Sequence, residues 1–142
     1  MSACPFDAPR PNSNEHWDFI RALSISSLYL SKNQVYRGYS LLVFDARHAE
    51  RLDELSAAEW SAFSHDLFVA NRAIHQAVRP DHVNVELLGN VVRHLHWHIL
   101  PRYRTDPRWG APIWTHTLAE MPVAQLPPDE QLMLVEQIRA MI

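Results

Sequence analysis

The sequence predicts one α+β domain, in which an antiparallel β-sheet carries helices packed on one side. Two observations lead to this fold class. Strand patterns occur as two neighbouring pairs of hairpin length, and one long amphipathic helix pattern lies between the pairs. The chain has 142 residues, the size of a single domain, so we expect residues 1–142 to share one core.

The first part of the chain predicts an arm, a short helix and a hairpin. Residues 1–14 are rich in Pro, Asn and Ser and predict an irregular N-terminal arm, and residues 14–23 predict a short helix. Apolar runs at 24–31 and 39–45 flank a segment of turn composition. These two runs therefore predict a β-hairpin.

The strongest helix pattern follows the hairpin. Ser56 and Glu59 have the spacing of a capping box, which predicts the start of a helix. Apolar residues then recur at spacings of three, four and seven and predict one inward face: Trp60, Phe63, Leu67, Ile74 and Val78.

A second strand pair and a last helix complete the predicted elements. Residues 82–88 and 91–100 predict strands, and Pro101 is expected to end the second one because proline cannot donate to a sheet ladder. The segment 128–141 begins with a proline at a favoured first-turn position and predicts a helix. Its expected buried residues are Leu132, Val135 and Ile138.

The composition excludes several classes of protein. Hydrophobic residues make up 47% and charged residues 20% of the chain, which is typical of a globular domain. The formal net charge of -3 gives no overall attraction to nucleic acid or to anionic lipid, and no apolar run is long enough for a membrane span. We therefore expect neither a nucleic-acid nor a membrane partner. The single cysteine, Cys4, cannot form an internal disulfide and lacks the partner spacing of a zinc site, and a cytoplasmic location is expected.

Three histidines alternate in the segment HLHWHIL: His94, His96 and His98. Side chains along a strand point to opposite faces in turn, so the three imidazoles are expected to share one face and the intervening Leu, Trp and Ile the other. The apolar face can pack on the long helix. The imidazoles would then line a surface or cleft on the opposite side of the sheet.

Three interpretations of the alternating histidines remain open. A half-solvated strand is one, although such a strand more naturally uses Thr, Lys, Glu or Ser than rings that repel one another when charged. A metal site is the second, because His-x-His on a strand presents two nitrogens to zinc or copper; Glu86 is the nearest candidate for a further ligand, and no metal ligand is assigned. The third is covalent phosphoryl or nucleotidyl transfer, because a neutral imidazole is a good nucleophile and its neighbours can stabilise developing charge.

The segment HLHWHILPR resembles the motif of the histidine triad (HIT) family, and GYSLLVFDARHAERLDELSAAEW resembles the segment that precedes it in that family. Through LLGNVVRHLHWHILPRY and DPRWGAPIW the chain is also similar to bacterial HIT proteins described as diadenosine polyphosphate hydrolase-like. The resemblance covers about residues 25–102. It implies a HIT-like fold, with an antiparallel sheet of about five strands, a long helix and a C-terminal helix packed against it, and residues 103–142 as a C-terminal extension.

The resemblance also implies a mechanism. His96 would attack the α-phosphorus of a nucleoside polyphosphate, such as a diadenosine polyphosphate, or of a nucleoside phosphoramidate, and water would release the mononucleotide from His96. His98 would contact the phosphate or the leaving group, and the backbone carbonyl of His94 would hold the protonated nitrogen of His96. The alternatives are a nucleotidyltransferase with the same intermediate, and a non-catalytic nucleotide- or metal-binding module.

Substrate-binding residues are implied in the same way. Asn84 and Asn90 match positions that contact phosphate oxygens, and Asn33, with Ser31 as the alternative, matches a ribose-binding position. Arg102 would either meet the distal phosphates of a longer substrate or be solvated. No cofactor is required, although a divalent cation could accompany a polyphosphate substrate, and a homodimer is expected by resemblance.

Two positions depart from the family pattern. Tyr39 stands where several branches have a further active-site histidine, and Val91 stands where many relatives have a Ser or Thr that touches the leaving group. His48 matches a family position in a basic turn, where it is expected to serve the turn. The remaining histidines are expected to be surface or packing residues, among them His16, His65, His75 and His116.

Overall fold

The computed structural model describes residues 3–115 and 117–142, so the expectation for His116 lies outside the described residues. One antiparallel sheet has the strand order β1-β2-β3-β5-β4. Its strands are β1 (Trp17–Ala22), β2 (Ser26–Ser31), β3 (Ser40–Phe44), β4 (His82–Glu86) and β5 (His96–Arg102). The helices are α1 (Ala57–Val78) and α2 (Pro128–Ala140). The predicted α+β class, with five strands and two helices, is confirmed.

The short helix predicted over 14–23 is wrong, because this segment contains strand β1. The Asn14 side chain accepts hydrogen bonds from the N–H groups of His16 and Trp17, at 2.8 and 2.9 Å, and so forms a turn directly before the strand. Trp17 then pairs with Ser31 at the start of an antiparallel ladder with β2. The weak local preference for helix is overridden by this long-range pairing.

Helix α1 begins as the sequence predicts. The Ser56 hydroxyl accepts from the N–H of Glu59 at 3.1 Å, and the Glu59 carboxylate accepts from the N–H of Ser56 at 2.8 Å, which completes the capping box. Phe63 and Ile74 are fully buried. Trp60 is 43% exposed, so its predicted burial is wrong. Trp60 precedes Phe63 by three residues, which corresponds to about 60° around the helix. Trp60 therefore lies on the flank of the inward-facing residues.

Strand β5 starts later and ends later than predicted. It begins at His96 rather than at position 91, and it continues through Pro101 to Arg102. Pro101 is opposite Val83 of β4, whereas β3 pairs with β5 only as far as Ile99. Proline has no backbone N–H to donate, and it is tolerated at position 101 because none of the described strands pairs with that residue on the β3 side.

Both helices pack on the same face of the sheet and build the main core. That core contains Ile20, Leu28, Leu30, Leu42, Phe44, Phe63, Ile74, Ile99, Leu134 and Ile138. Val135 and Ile138 of α2 are buried as predicted, but Leu132 is 59% exposed. Gln131, Leu134, Val135 and Ile138 follow the spacing of one helical stripe, and Leu132 lies about 100° away from Gln131 around the helix. None of the described helices combines the length and apolar character that crossing a membrane requires.

The other face of the sheet is covered by two segments without strands or long helices. The N-terminal arm places Phe6 with Trp17, Tyr29 and Val43 in a second apolar cluster. The segment that follows β5 places Ile113 against Leu100 and Tyr36 in a third cluster.

Candidate functional site

The three alternating imidazoles lie on the sheet face away from α1. Strand β5 carries His96 and His98, and His94 directly precedes it. The neighbouring Leu95 and Ile99 join the main core, which confirms the predicted division between an apolar and an imidazole face. The three histidines are only 2%, 6% and 9% exposed, and the ring centroids of His96 and His98 are 4.9 Å apart.

The His96 ring is held in one tautomer. Its Nδ1 lies 2.6 Å from the backbone carbonyl of His94. A carbonyl oxygen can only accept, so Nδ1 carries the hydrogen and Nε2 carries the lone pair. Burial and the neighbouring His94 ring lower the pKa of His96, whereas the hydrogen bond to the backbone carbonyl raises it. The net shift of the pKa is downward, which favours the neutral ring.

His98 is enclosed by two aromatic side chains. The Tyr39 hydroxyl lies 2.8 Å from Nδ1 of His98, and the Trp114 ring meets the imidazole edge-on at 5.2 Å. Trp114 Nε1–H donates to the carboxylate of Glu86, which is opposite His98 in the β4–β5 ladder. Burial and the nearby His96 lower the pKa of His98 to about 3, so the ring is neutral at pH 7.

The Nε2 atoms of His96 and His98 are available to a ligand. Within the described residues neither atom has a hydrogen-bond partner, and neither belongs to the buried polar atoms without a partner in that part of the chain. Both nitrogens therefore reach solvent. Phe6 covers part of the site, because its ring meets the His96 ring edge-on at 5.1 Å.

His94 faces a cluster of metal-ligating groups. Its Nε2 donates to the backbone carbonyl of Phe44 at 2.7 Å, because a carbonyl oxygen can only accept. Nδ1 lies 3.1 Å from a carboxylate oxygen of Asp7 and 3.6 Å from Cys4 Sγ. One ligand atom from each of four residues lies within 4.8 Å of the others: Cys4, Asp7, His48 and His94.

The donor set of this cluster fits a zinc ion. Sulfur, imidazole nitrogen and carboxylate oxygen are the ligands that zinc takes in four-coordinate sites, and the carbonyl of Phe44 orients His94 as outer partners of zinc-bound histidines do. Hydrogen bonding and charge from Asp7 raise the pKa of His48. Partial desolvation raises the pKa of Asp7, but the hydrogen bond and charge of His48 and the charge of His94 lower it overall and favour the ionised carboxylate.

Phe6 and Asp7 were not predicted as site residues because residues 1–14 were interpreted only as an irregular arm. Cys4 was considered only as a single cysteine without the partner spacing of a zinc site, and the structure places it beside Asp7, His48 and His94. The available sequence signal for the cluster is Cys4 and Asp7 with two residues between them. These residues precede His48 by about forty and His94 by about ninety positions along the chain. Only the fold shows that these distant positions meet, since the arm crosses the sheet beside His94.

Asn84 and Arg102 are joined to each other and not to the imidazoles. The Asn84 Oδ1 accepts from Arg102 Nη1 at 2.7 Å. Arg102 is 3% exposed and also donates to both carboxylate oxygens of Asp106 and to two backbone carbonyls. Asn84, Glu86 and Arg102 line a cavity of about 780 Å³ along β4. Contacts of Asn84 and Arg102 with a phosphate remain predictions.

Asn33 and Ser31 lie where the chain turns after β2. The Asn33 N–H donates to the Ser31 hydroxyl at 3.1 Å, and the Asn33 side chain bonds the backbone of Pro122 and Ala124. These contacts attach the C-terminal segment to the sheet. A ribose contact of either residue also remains a prediction.

Asn90 lies in the loop before the triad, next to Gly89, whose φ is +70°. It is exposed and lines a shallow cavity of about 300 Å³ with Glu50, Arg51 and Arg93. The structure therefore leaves the Asn90 amide open to a ligand. Its contact with phosphate stays a prediction.

Comparisons with known proteins agree with this fold. The family model of the HIT domain matches residues 24–105. A histidine triad protein from Bradyrhizobium japonicum superposes with a TM-score of 0.81 at 24% identity, over 90% of this chain and 92% of that chain. One from Sinorhizobium meliloti 1021 has a TM-score of 0.80 at 20% identity, over 89% and 90%. A hypothetical histidine triad nucleotide-binding protein from Sulfolobus tokodaii has a TM-score of 0.66 at 20% identity, over 88% and 83%. No curated protein matches the chain.

Proposed function

Because the chain belongs to the HIT domain family, we propose that it hydrolyses a nucleotide at its α-phosphorus through a covalent intermediate on His96. The substrate is a nucleoside polyphosphate of the diadenosine polyphosphate kind or a nucleoside phosphoramidate. One observation carries the proposal: the His94 carbonyl fixes the hydrogen of His96 on Nδ1, so that Nε2 presents a lone pair to solvent.

The first chemical step forms a bond between His96 and phosphorus. The Nε2 lone pair attacks the α-phosphorus, the bond to the leaving group breaks, and the leaving group takes that electron pair. The His94 carbonyl keeps its hydrogen bond to Nδ1–H and stabilises the positive charge that develops on the ring. His98, whose ring centroid is 4.9 Å from that of His96, would contact the phosphate or the leaving group through Nε2.

The second step releases the mononucleotide. A water oxygen bonds to phosphorus, the nitrogen–phosphorus bond breaks, and its electron pair returns to Nε2 of His96 while the water gives up its proton to solvent. Asn90, which is exposed in the loop before the triad, would donate from its amide to phosphate oxygens. A divalent cation enters only with a polyphosphate substrate, as its counter-charge.

The experiment that tests this function measures AMP release from diadenosine tetraphosphate and from an adenosine phosphoramidate. Replacing His96 with Ala removes the nucleophile, and we expect turnover to fall on the order of a thousandfold or more. The matched control is His65→Ala, because His65 is an exposed histidine on α1 whose ring lies beside Phe68. Unchanged turnover in His96→Ala would remove His96 from the nucleophile role.

A nucleotidyltransferase is the alternative, since it would use the same intermediate but pass the nucleotide to a phosphate acceptor. Added orthophosphate or sugar phosphate separates the two reactions. A hydrolase releases the mononucleotide whatever acceptor is added, whereas a transferase forms a new nucleotide product in proportion to the acceptor.

The cluster of Cys4, Asp7, His48 and His94 supports a second proposal, a resident zinc ion with a structural role. Four protein ligands close the coordination shell, which is typical of structural rather than catalytic zinc. Bound zinc would hold the N-terminal arm against the sheet. Metal analysis of the purified protein tests this: we expect about one zinc per chain in the wild type and a large loss in Cys4→Ser, and a metal-free wild type would refute it.

We further propose a homodimer that joins two sheets through β4. This strand is at the edge of the sheet, so its outer backbone groups have no partner strand among the described residues. Val85 of β4 and Leu88 just beyond it are 38% and 42% exposed. Analytical ultracentrifugation of the wild type and of Val85→Lys tests the dimer; a monomeric wild type at micromolar concentration would contradict it. We also propose a cytoplasmic location, which is expected from the single cysteine.

A further inference from the structure

Tyr39 reaches His98 from the residue just before β3. Its hydroxyl lies 2.8 Å from Nδ1 of His98, and the two rings are stacked with an angle of 24° between their planes. Among the described residues the Tyr39 hydroxyl has no other hydrogen-bond partner. Donation to Nδ1 is therefore the arrangement that satisfies the hydroxyl hydrogen, and it leaves Nε2 of His98 as the protonated nitrogen.

The adjacent rings of His96 and His98 are then fixed in opposite tautomers. His96 gives its Nδ1–H to a carbonyl and presents a lone pair, whereas His98 accepts at Nδ1 and presents an N–H group. The ring centroids are 4.9 Å apart, so a lone pair and an N–H group are carried by neighbouring rings of one strand.

We propose that Tyr39 is a positioning residue that fixes His98 as a neutral Nε2–H donor, and that the chain consequently prefers phosphoanhydrides to phosphoramidates. This inference rests on the proposed function and selects between its two substrate classes. His98 stabilises the departing oxygen by a hydrogen bond, the electron pair of the broken phosphorus–oxygen bond stays on that oxygen, and no proton is transferred.

The surroundings of His98 explain why the proton stays on the ring. Loss of Nε2–H from a neutral ring would leave an imidazolate unless Tyr39 passed its own proton to Nδ1 at the same time. Burial and the negative charge of Glu86 raise the pKa of Tyr39, so a tyrosinate is strongly disfavoured there. His98 is thus a neutral electrophile, the role that a histidine of lowered pKa takes in other enzymes.

The preference between substrates follows from the basicity of the leaving group. A phosphate oxygen departs as a stable anion, whereas an alkyl amine has a pKa of about 10 and needs a proton in order to leave. A site without a transferable proton at His98 favours the first. We expect the ratio of kcat/KM for an adenosine polyphosphate over an adenosine alkylphosphoramidate to be about a hundredfold, the lower end of what general-acid catalysis contributes.

The tautomer of His98 can be measured in the resting protein, without turnover. Nitrogen-15 NMR of uniformly labelled protein distinguishes protonated from unprotonated ring nitrogens. We expect a protonated Nε2 on His98 in the wild type and a mixture of tautomers in Tyr39→Phe. Tyr36→Phe is the matched control, because Tyr36 is a buried tyrosine near the same turn whose hydroxyl has no partner among the described residues. A protonated Nδ1 in the wild type, or an unchanged tautomer in Tyr39→Phe, would overturn the assignment.

Kinetics then test the link to catalysis. In Tyr39→Phe we expect kcat on diadenosine tetraphosphate to fall about tenfold with little change in KM, since a tenfold change corresponds to the upper end for one neutral hydrogen bond. Tyr36→Phe should retain the wild-type kcat. Equal kcat/KM values on the two substrate classes, or an unchanged kcat in Tyr39→Phe, would refute the role. If His96→Ala keeps its activity, the proposed function fails, but the NMR result still decides whether Tyr39 sets the tautomer.

Discussion

The buried ion pair between Arg102 and Asp106 gives the sharpest prediction of stability. The two side chains are only 4% and 2% exposed, and two N–H···O bonds of 2.9 and 3.0 Å join them. Asp106 also accepts from the backbone N–H groups of Tyr103 and Arg108 at 3.0 and 2.8 Å. The carboxylate therefore organises the turn that follows β5 as well as neutralising Arg102.

Replacing Asp106 with Asn leaves the Arg102 guanidinium buried without a counter-charge. Breaking a buried pair in this way costs about 3 to 5 kcal/mol, and we expect the lower end because Asn keeps one accepting oxygen. With a urea m-value of about 2 kcal/mol/M, a loss of about 3 kcal/mol lowers the unfolding midpoint by about 1.5 M. Urea unfolding at pH 7, followed by tryptophan fluorescence, measures this shift.

The control is Asp81→Asn, because the pair of Asp81 with Arg104 is exposed and its atoms are 3.5 Å apart. We expect this change to cost about 0.5 kcal/mol or less. If the unfolding midpoint of Asp106→Asn matched that of Asp81→Asn, the buried pair would not hold the segment after β5, and this reading of Arg102 would be refuted.

The same pair has a defined pH dependence. Burial would raise the pKa of Asp106, but hydrogen bonds from Arg102 and from the N–H groups of Arg108 and Tyr103 lower it overall. Because the pKa is lower in the folded than in the unfolded chain, the stabilisation is complete above the unfolded value of about 3.9 and is lost as the pH falls through the folded value. The difference between wild type and Asp106→Asn should therefore persist down to about pH 4 and shrink below it.

Four further substitutions test the fold. Ser56→Ala removes the cap of α1 and should cost about 1 kcal/mol in thermal or urea unfolding; an unchanged stability would show that Glu59 alone caps the helix. Gly38→Ala and Gly110→Ala both place alanine at a φ near +90°, but only at Gly38 does a Cβ meet Pro101 and Val78 at 3.0 Å, so Gly38→Ala should be the less stable variant by about 1 to 3 kcal/mol. Asp66→Asn places an amide where a buried carboxylate accepts hydrogen bonds from Ser24, Ile25 and Ser26. We expect the free energy of unfolding, measured by calorimetry, to fall by about 3 kcal/mol. A fall below about 1 kcal/mol would mean that these hydrogen bonds rearrange easily.

Local patterns in the sequence predicted the elements whose signals lie within a few residues. The capping box at Ser56 and Glu59 placed the start of α1, and strict alternation placed His96 and His98 on one face. The triad face was therefore predictable. β1 was not, because its strand conformation depends on pairing with β2 and only a turn at Asn14 marks it locally.

The missing part of the site depends on contacts between distant residues. Cys4 and Asp7 meet His94 only because the N-terminal arm crosses the sheet, and no local periodicity reports such a crossing. Tyr39 was recognised as a departure from the family pattern, but its contact with His98 is set by the register of β3 against β5. Registers and arm crossings are properties of the whole fold, so they could not be derived from one stretch of sequence.

The covalent intermediate on His96 can be detected by mass spectrometry of the protein after brief exposure to diadenosine tetraphosphate, with quenching under alkaline conditions that preserve a phosphorus–nitrogen bond. We expect a wild-type chain that carries one adenylyl group on the peptide containing His96, and no adduct in His96→Ala. An adenylyl group on any other residue, or hydrolysis at the wild-type rate by His96→Ala, would contradict it.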